Sequence, residues 1–385
     1  MTPPPNAVAA ATHPDPYSYY AALRRDRPFA YDDGLGLWVA VGTDAVTEIL
    51  ASDACHTRPP AEPVPSPLLG GAAADVFGRL VRMTDGKGHA QARRAVAATL
   101  ASVSADTLAA TARHWAGILA GDTVHGGRSL DAFLFALPMH AVGALLGFAP
   151  ALLSVVAQHM QAFVTAIGPG ATPTDIARGH DAAAAMVALI TELMVADDGR
   201  GLAHTLQNQA HQVGDIDPAT VAANAVGFLS QTHDATAGLL GNTILALGAR
   251  PDLRRKVAAD RSLLPAVMQE VLRFDPPGHN TRRFVVRDVE IAGQRLRAGD
   301  TVLVVYIAAN RDPDLNLDPD RFDPRRTAPR ILSFGHGRHA CPGTAIAAAI
   351  AVAGLDALLD RLPDAGWPAA PTGYRPTVTR IPMFG

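Results

Sequence analysis

The longest regular pattern in the chain opens at Asp217-Pro218 and runs to about Gly248, just before Pro251. Residues 221–229 carry no charge, and neither do residues 237–247. A helix that is apolar on every side is a buried one. At 1.5 Å per residue this helix measures roughly 46 Å. A domain of this chain length has a radius of gyration of about 21 Å, so the helix crosses most of it. Between its apolar halves lies Ser230-Gln231-Thr232-His233-Asp234-Ala235-Thr236. Polar groups in the middle of a buried helix are costly unless they are paired or used.

The rest of the pattern is also mostly helical. Residues 17–25 read as a short amphipathic helix and residues 43–52 as another, with Thr43 as its N-cap. Residues 95–200 form a run of Ala/Leu helices, broken at Gly168-Pro169-Gly170, where a lid could hinge. Residues 263–273 make a helix stopped by Asp275-Pro276-Pro277, and residues 344–355 an Ala-rich one. Strands are expected at 29–31 and 37–41 around the Asp33-Gly34 turn. Others follow near 292–294 and 299–300, and 301–306 is the most strand-like. Residues 58–72, rich in proline, read as a long irregular loop. The expectation is a mainly α protein with small β-sheets. Residues 1–13 are expected to be disordered, and 14–385 to form a single domain without an internal linker.

Composition narrows the function classes. The chain is 48% hydrophobic and only 18% charged, which implies a large buried core. The formal net charge is -3, so nothing suggests nucleic acid. Two cysteines give no disulfide framework, and a reducing compartment is expected. The N-terminus lacks the features of a signal peptide, and no run is expected to be long enough to span a bilayer. The protein is expected to be cytoplasmic, with no membrane partner.

The candidate chemistry centres on Leu332-Ser333-Phe334-Gly335-His336-Gly337-Arg338-His339-Ala340-Cys341-Pro342-Gly343. This is a glycine-rich loop that presents one sulfur just before a helix N-terminus, a position that favours thiolate. Such a thiolate is an axial haem ligand or a nucleophile, and a buried structural cysteine is the third reading. Local chemistry leaves the three open. Elsewhere, His89 and Arg93 lie four apart on one helical face, which suits a carboxylate pair or a solvated helix start. Glu270 and Arg273 lie three apart on another.

Phe-Gly-x-Gly-x-His-x-Cys-x-Gly resembles the haem-binding loop of the cytochrome P-450 family, the haem-thiolate monooxygenases, with every fixed position filled. The resemblance extends over most of the chain, from Tyr17 to Phe384. It implies a mainly helical fold that holds haem b between the long central helix and the helix after Cys341. It assigns the iron to Cys341 and the surrounding loop contacts to Phe334, Gly335, His339 and Gly343. His-x-x-x-Arg after Met83-Thr84-Asp85 resembles the family helix that grips a haem propionate, which gives that role to His89 and Arg93. Arg283 aligns with a second propionate ligand, in preference to Arg282. Glu270 and Arg273 resemble the family's structural ion pair, with Arg321 as its expected third member. His279 and Asn280 would point toward the substrate pocket, and the 381–384 tail resembles a hairpin that reaches into it.

One departure bears on function. The family's usual Ala/Gly-Gly-x-Asp/Glu-Thr-Thr reads here Gln231-Thr232-His233-Asp234-Ala235-Thr236. The acid is kept, the small pair is replaced, and alanine holds the place of the proton-delivering threonine. The resemblance implies a bacterial-type monomeric monooxygenase that hydroxylates a small, secondary-metabolite-like substrate with dioxygen. Protons would come through Asp234, with Gln231, Thr232, Thr236 or substrate hydroxyls with water replacing the missing hydroxyl. Electrons would come from NAD(P)H only indirectly, through a ferredoxin reductase and a ferredoxin. Arg93, Arg94, Arg325, Arg326, Arg330 and Arg338 could form a ferredoxin docking face or a solvated surface. Two alternatives follow: oxidative coupling, desaturation or peroxide-driven chemistry on the same fold, motivated by Ala235, and a non-catalytic haem sensor.

Overall fold

The computed structural model describes residues 2–125, 129–196, 199–214 and 216–385. The chain runs α1 (Tyr17–Asp26), β1 (Phe29–Asp32), β2 (Leu37–Ala40), α2 (Thr43–Ala51), β3 (Cys55–His56), α3 (Ala72–Arg79), α4 (Gly86–Ala101), α5 (Ala105–His125) and α6 (Leu130–Leu146). Then come α7 (Leu153–Ile167), α8 (Pro173–Val195), α9 (Gly201–Val213), α10 (Pro218–Gly248), α11 (Pro251–Ala259) and α12 (Leu264–Phe274). The remainder is β4 (Thr281–Val285), β5 (Val289–Ile291), β6 (Gln294–Leu296), β7 (Thr301–Val304), α13 (Tyr306–Asn310), α14 (Thr344–Leu359), β8 (Gly373–Tyr374) and β9 (Pro382–Met383). The expected mainly α chain with small sheets is what the structure holds.

Contacts divide the chain into two compact units. The first comprises the chain up to Pro60, Gly238–Cys341 and Leu362–Gly385. The second comprises Ala61–Ala237 and Pro342–Arg361. Helix α10 gives residues through Ala237 to the second unit and the rest to the first.

The first unit is built on a sheet in the order β1-β2-β7-β4-β3, with β2 and β7 parallel. Side chains alternate across a strand, and here both faces are covered. Leu37, Val39, Leu303 and Val305 enter one apolar cluster, and Ala40, Val302 and Val304 the other. Helix α2 is not capped by Thr43. Gly42 is its N-cap, and the Asp312 carboxylate accepts from the Thr43 amide (3.1 Å) and hydroxyl (2.8 Å). A carboxylate there favours the positive end of the helix.

The described residues before Pro14 lie against the rest of the first unit. Ala7 and Ala10 are buried with Tyr20, and Ala9–Thr12 form a 3-10 turn. The reason is Arg380, which is 1% exposed and donates to the carbonyls of Ala11, His13 and Pro14. The same guanidinium donates to Asp275, which also accepts from the Tyr17 hydroxyl. His279 belongs to this knot. It is fully buried, with Nε2 3.5 Å from the Asp275 carboxylate and Nδ1 3.3 Å from the Tyr20 hydroxyl. Its expected direction toward a substrate pocket is therefore corrected, because Asp275 and Tyr20 hold the ring in the core. Burial would raise the Asp275 carboxyl, but Arg380, His279 and Tyr17 outweigh it and hold that group well below the usual range. Burial lowers His279 to about 4.

The Glu270–Arg273 pair is also internal, with both side chains at or below 2% exposure and two contacts of 2.8 Å. Its third member is not Arg321. That residue lends its carbonyl to Arg273, while its exposed guanidinium pairs with Asp323. Arg326 supplies the third charge, 3.2 Å from Glu270. The 318–328 meander turns through left-handed residues at Asp318 and Ala328, and it is Arg326 that points inward.

In the second unit α14 packs on α5, and α7 on α8. Thr172 and Asp175 form a capping box at the start of α8. A Cβ on Gly179 would lie 2.1 Å from Cβ of Ala166, so α7 and α8 approach more closely than any larger residue permits. One stretch, Pro150–Ile167, is long and apolar enough to cross a bilayer, contrary to expectation. Its buried residues Leu153, Val156, Met160 and Phe163 recur every three to four positions, the pattern of one helix face on a protein core.

Two outcomes follow. Glu270→Gln should cost about 3–5 kcal/mol in urea unfolding, because it strands buried arginines, whereas Arg321→Ala should stay within about 1 kcal/mol. For pH, an unfolded histidine titrates near about 6.5 and His279 near about 4. The unfolded state therefore binds the extra proton in that window, and stability falls as pH drops through it. His279→Gln should flatten the urea midpoint between those pH values.

Candidate cofactor site

The sulfur loop is fixed at three places within the first unit. At its start, Asn310 on α13 accepts from the Leu332 amide (2.7 Å) and donates to the Ser333 hydroxyl (2.7 Å). Ser333 in turn donates to the Leu272 carbonyl at the end of α12 (2.7 Å). In the middle, Arg338 donates to the carbonyls of Ser52 and Cys55. At its end, the Cys341 amide donates to the Phe334 carbonyl (2.7 Å). Gly335 and Gly337 have φ of +74° and +65°, the region that favours glycine. A Cβ on Gly337 would sit 3.0 Å from the Leu50 carbonyl. Phe334 and His339 are half-buried and Cys341 is exposed, while the other cysteine, Cys55, is buried. The sequence pattern gives Asn310, the anchor of this loop, no task. Its side-chain role depends on partners more than 20 residues away.

Arg283 lies on β4, opposite Val302. Strand alternation turns Arg283 inward, at 5% exposure, and its neighbour Arg282 outward. Its guanidinium donates only to the Thr281 hydroxyl (3.3 Å) and the Arg282 carbonyl (2.9 Å), and no carboxylate pairs with it among the described residues. A buried cation without an acid is costly. An exposed sulfur on a rigid loop and a buried guanidinium without an acid are the donor set that an iron porphyrin with acidic side arms would use. The residues fit haem.

The second unit carries the other predicted residues. Gly343 is the N-cap of α14, and the helix has no side-chain cap. Helix α4 holds His89 and Arg93 one turn apart. His89 is 4% exposed, and its Nδ1 donates to the Val81 carbonyl (2.9 Å). On α10, Ala235 is exposed and Gln231, four residues earlier, is half-buried on the same face. The Gln231 amide donates back to the Gly227 carbonyl (3.1 Å), and the Thr232 hydroxyl to the Phe228 carbonyl (2.6 Å). Thr236 is buried, and its hydroxyl has no hydrogen-bond partner among the described residues. Asp234 is held by a residue that sequence reasoning gave no role. His233 Nδ1 lies 2.7 Å from its carboxylate, and the His233 ring packs on Phe135 with centroids 4.9 Å apart. Of the six arginines expected to form a docking face, Arg326 is committed to Glu270 and Arg338 to backbone carbonyls. That expectation is corrected for these two.

Comparison with known proteins points to one family. The family described as "Cytochrome P450" matches residues 195–362. The chain is similar to "Cytochrome P450 monooxygenase PikC" of Streptomyces venezuelae, 29% identical over 93% of this chain and 86% of that protein. It is similar to "20-oxo-5-O-mycaminosyltylactone 23-monooxygenase" of Streptomyces fradiae, 30% identical over 90% of this chain and 83% of that one. Among solved structures, CalO2 superposes with a TM-score of 0.83 at 26% identity, covering 99% of this chain and 97% of the other.

Arg283→Gln should release haem faster than the parent protein when the holoprotein is mixed with excess apomyoglobin. Arg282→Gln, on the outward face of the same strand, should release it at the parent rate.

Proposed function

The chain belongs to the cytochrome P450 family, and on that premise we propose that it is a haem b monooxygenase that hydroxylates a small molecule of the secondary-metabolite class. It is an oxidoreductase, as its monooxygenase relatives are. Residues 14–385 act as one catalytic domain in this reading. The observation that carries it is the exposed Cys341 sulfur at the end of a loop whose two left-handed glycines are locked by hydrogen bonds.

Haem, when bound, supplies activation of dioxygen. The protein supplies the rest. Cys341 as thiolate would ligate the iron and donate electron density to it. Phe334, Gly335 and Gly343 shape the backbone around the sulfur, whose electron density N–H donors would tune. Arg283, His89, Arg93 and His339 would neutralise the propionates. Asp234 holds a proton at its carboxylate, and His233 fixes that carboxylate in one orientation. Gln231 and Thr232 offer amide and hydroxyl oxygens along the same helix. One substrate C–H bond, one dioxygen, two electrons and two protons give one C–OH and one water. The electrons start on NAD(P)H and arrive through a ferredoxin reductase and a ferredoxin.

A second reading, oxidative coupling or desaturation, is favoured by one observation. Alanine is exposed at 235, and the hydroxyl next in sequence, on Thr236, is buried about 100° further round the helix. A hydroxyl so placed does not substitute directly for the usual relay.

The reduced protein with carbon monoxide should show a strongly red-shifted Soret band, and Cys341→Ser should abolish it. With a reconstituted ferredoxin system, product that carries oxygen from labelled dioxygen supports hydroxylation. Coupled or desaturated product without the label would replace hydroxylation with the second reading.

A further inference from the structure

We infer that Asn224 and Gly227 of α10 form a notch that positions His89, so that the central helix sets the grip on the cofactor's acidic side arm. The inference rests on the reading of His89 as a propionate ligand, and every residue involved lies in the second unit.

Asn224 is 3% exposed, and its side chain is fully used. Its Oδ1 accepts from the Val81 amide (2.8 Å). Its Nδ2 donates to the Arg79 carbonyl (2.9 Å) and to the Thr220 carbonyl one turn back on its own helix (2.8 Å). One amide hydrogen and the amide oxygen thus tie residues 79–81 to α10, and the second hydrogen fixes the side chain to its own helix. Three residues further along α10, Gly227 leaves room for the same segment. A Cβ there would lie 2.9 Å from Leu80 Cδ2, and Leu80 is fully buried.

Val81 is then held from two sides. Its N–H is bound by Asn224, and its carbonyl accepts from His89 Nδ1 (2.9 Å), with a longer contact of 3.4 Å from the Thr84 hydroxyl. A carbonyl can only accept, so Nδ1 carries the hydrogen, and the Val81 carbonyl sets both the tautomer and the plane of the ring. Groups of this kind, which orient a ligand without touching the cofactor, typically change affinity by 10- to 100-fold. Asn224 is a positioning residue in that sense. If it is lost, the Val81 peptide can rotate and the ring loses its reference. If Gly227 gains a methyl group, Leu80 is displaced and carries Val81 with it.

The test is the rate at which the holoenzyme loses haem to excess apomyoglobin, with the thermal midpoint of each variant measured alongside. Asn224→Leu should lose haem about tenfold faster. Gly227→Ala should shift the rate in the same direction, which keeps the test available if Asn224→Leu does not fold. Arg79→Ala breaks only the exposed pair with Asp217 and should leave the rate unchanged. In a His89→Ala background, Asn224→Leu should add nothing further, because it acts through the missing ring. Equal haem loss from Asn224→Leu and the parent, or full multiplication of the two effects in the double variant, would overturn the inference while His89 keeps its role. If His89→Ala itself leaves the rate unchanged, the reading of His89 as a propionate ligand fails, and this inference fails with it.

Discussion

A sulfur that is to hold a metal must not move, yet the loop that presents it here is made of residues chosen for freedom. Gly335 and Gly337 occupy left-handed conformations that let the backbone turn tightly and pass close to the Leu50 carbonyl. Left alone, such a loop would pay a large entropy cost on ordering. The structure removes that freedom with a buried amide, a hydroxyl and a guanidinium: Asn310, Ser333 and Arg338, each reaching an element far away in sequence. The sulfur's position therefore depends on where α12, α13 and the end of α2 sit. The Glu270–Arg273–Arg326 cluster stands behind that arrangement. Arg273 also donates to the carbonyls of Asn310 and Pro319, so one buried charge set braces both the anchor residue and the meander that leads to the loop.

Helix α10 serves several purposes along one length. Near its start, Asn224 and Gly227 receive a neighbouring segment. In its middle, Gln231, Thr232 and Asp234 form a polar turn that breaks an otherwise apolar cylinder. The carboxylate of that turn is held by a histidine from the adjacent position, a short-range solution that needs no second element. A long buried helix suits these roles because its interior backbone bonds are already satisfied, so its side chains are free to bond outward.

Much of this was legible in the sequence, for physical reasons that differ by element. The central helix could be read because two charge-free stretches of that length have few other solutions. The cysteine loop could be read because glycine spacing, the histidine and the sulfur form a long pattern. Arg283 was preferred to Arg282 through the family resemblance, and strand alternation in the structure turns the first inward and the second outward. What escaped reading was set by distance or by irregular backbone. Arg326 rather than Arg321 meets Glu270 because the meander turns at Asp318 and Ala328, non-glycine residues that give no sign of left-handed geometry. Asp312 caps α2 across 269 residues of sequence. His279 turned inward because Asp275 and Tyr20 were waiting, and Asp275 is itself held by a residue five positions from the chain's end. His233 was visible as a polar residue in a buried helix, but its partner was the adjacent carboxylate, and neighbours in sequence do not ordinarily face each other on a helix.

The knot around Arg380 has a topological consequence. One guanidinium near the last residues collects three carbonyls from the first fourteen and the carboxylate of Asp275 between them. Its face also stacks on Tyr374, with the guanidinium carbon 3.6 Å from the ring centre. The first unit is thereby drawn into a closed ring, sealed by hydrogen bonds instead of a peptide bond. A pull that separates residues 11–14 from Arg380 would fall on this seal. The two segments behave as a clasp.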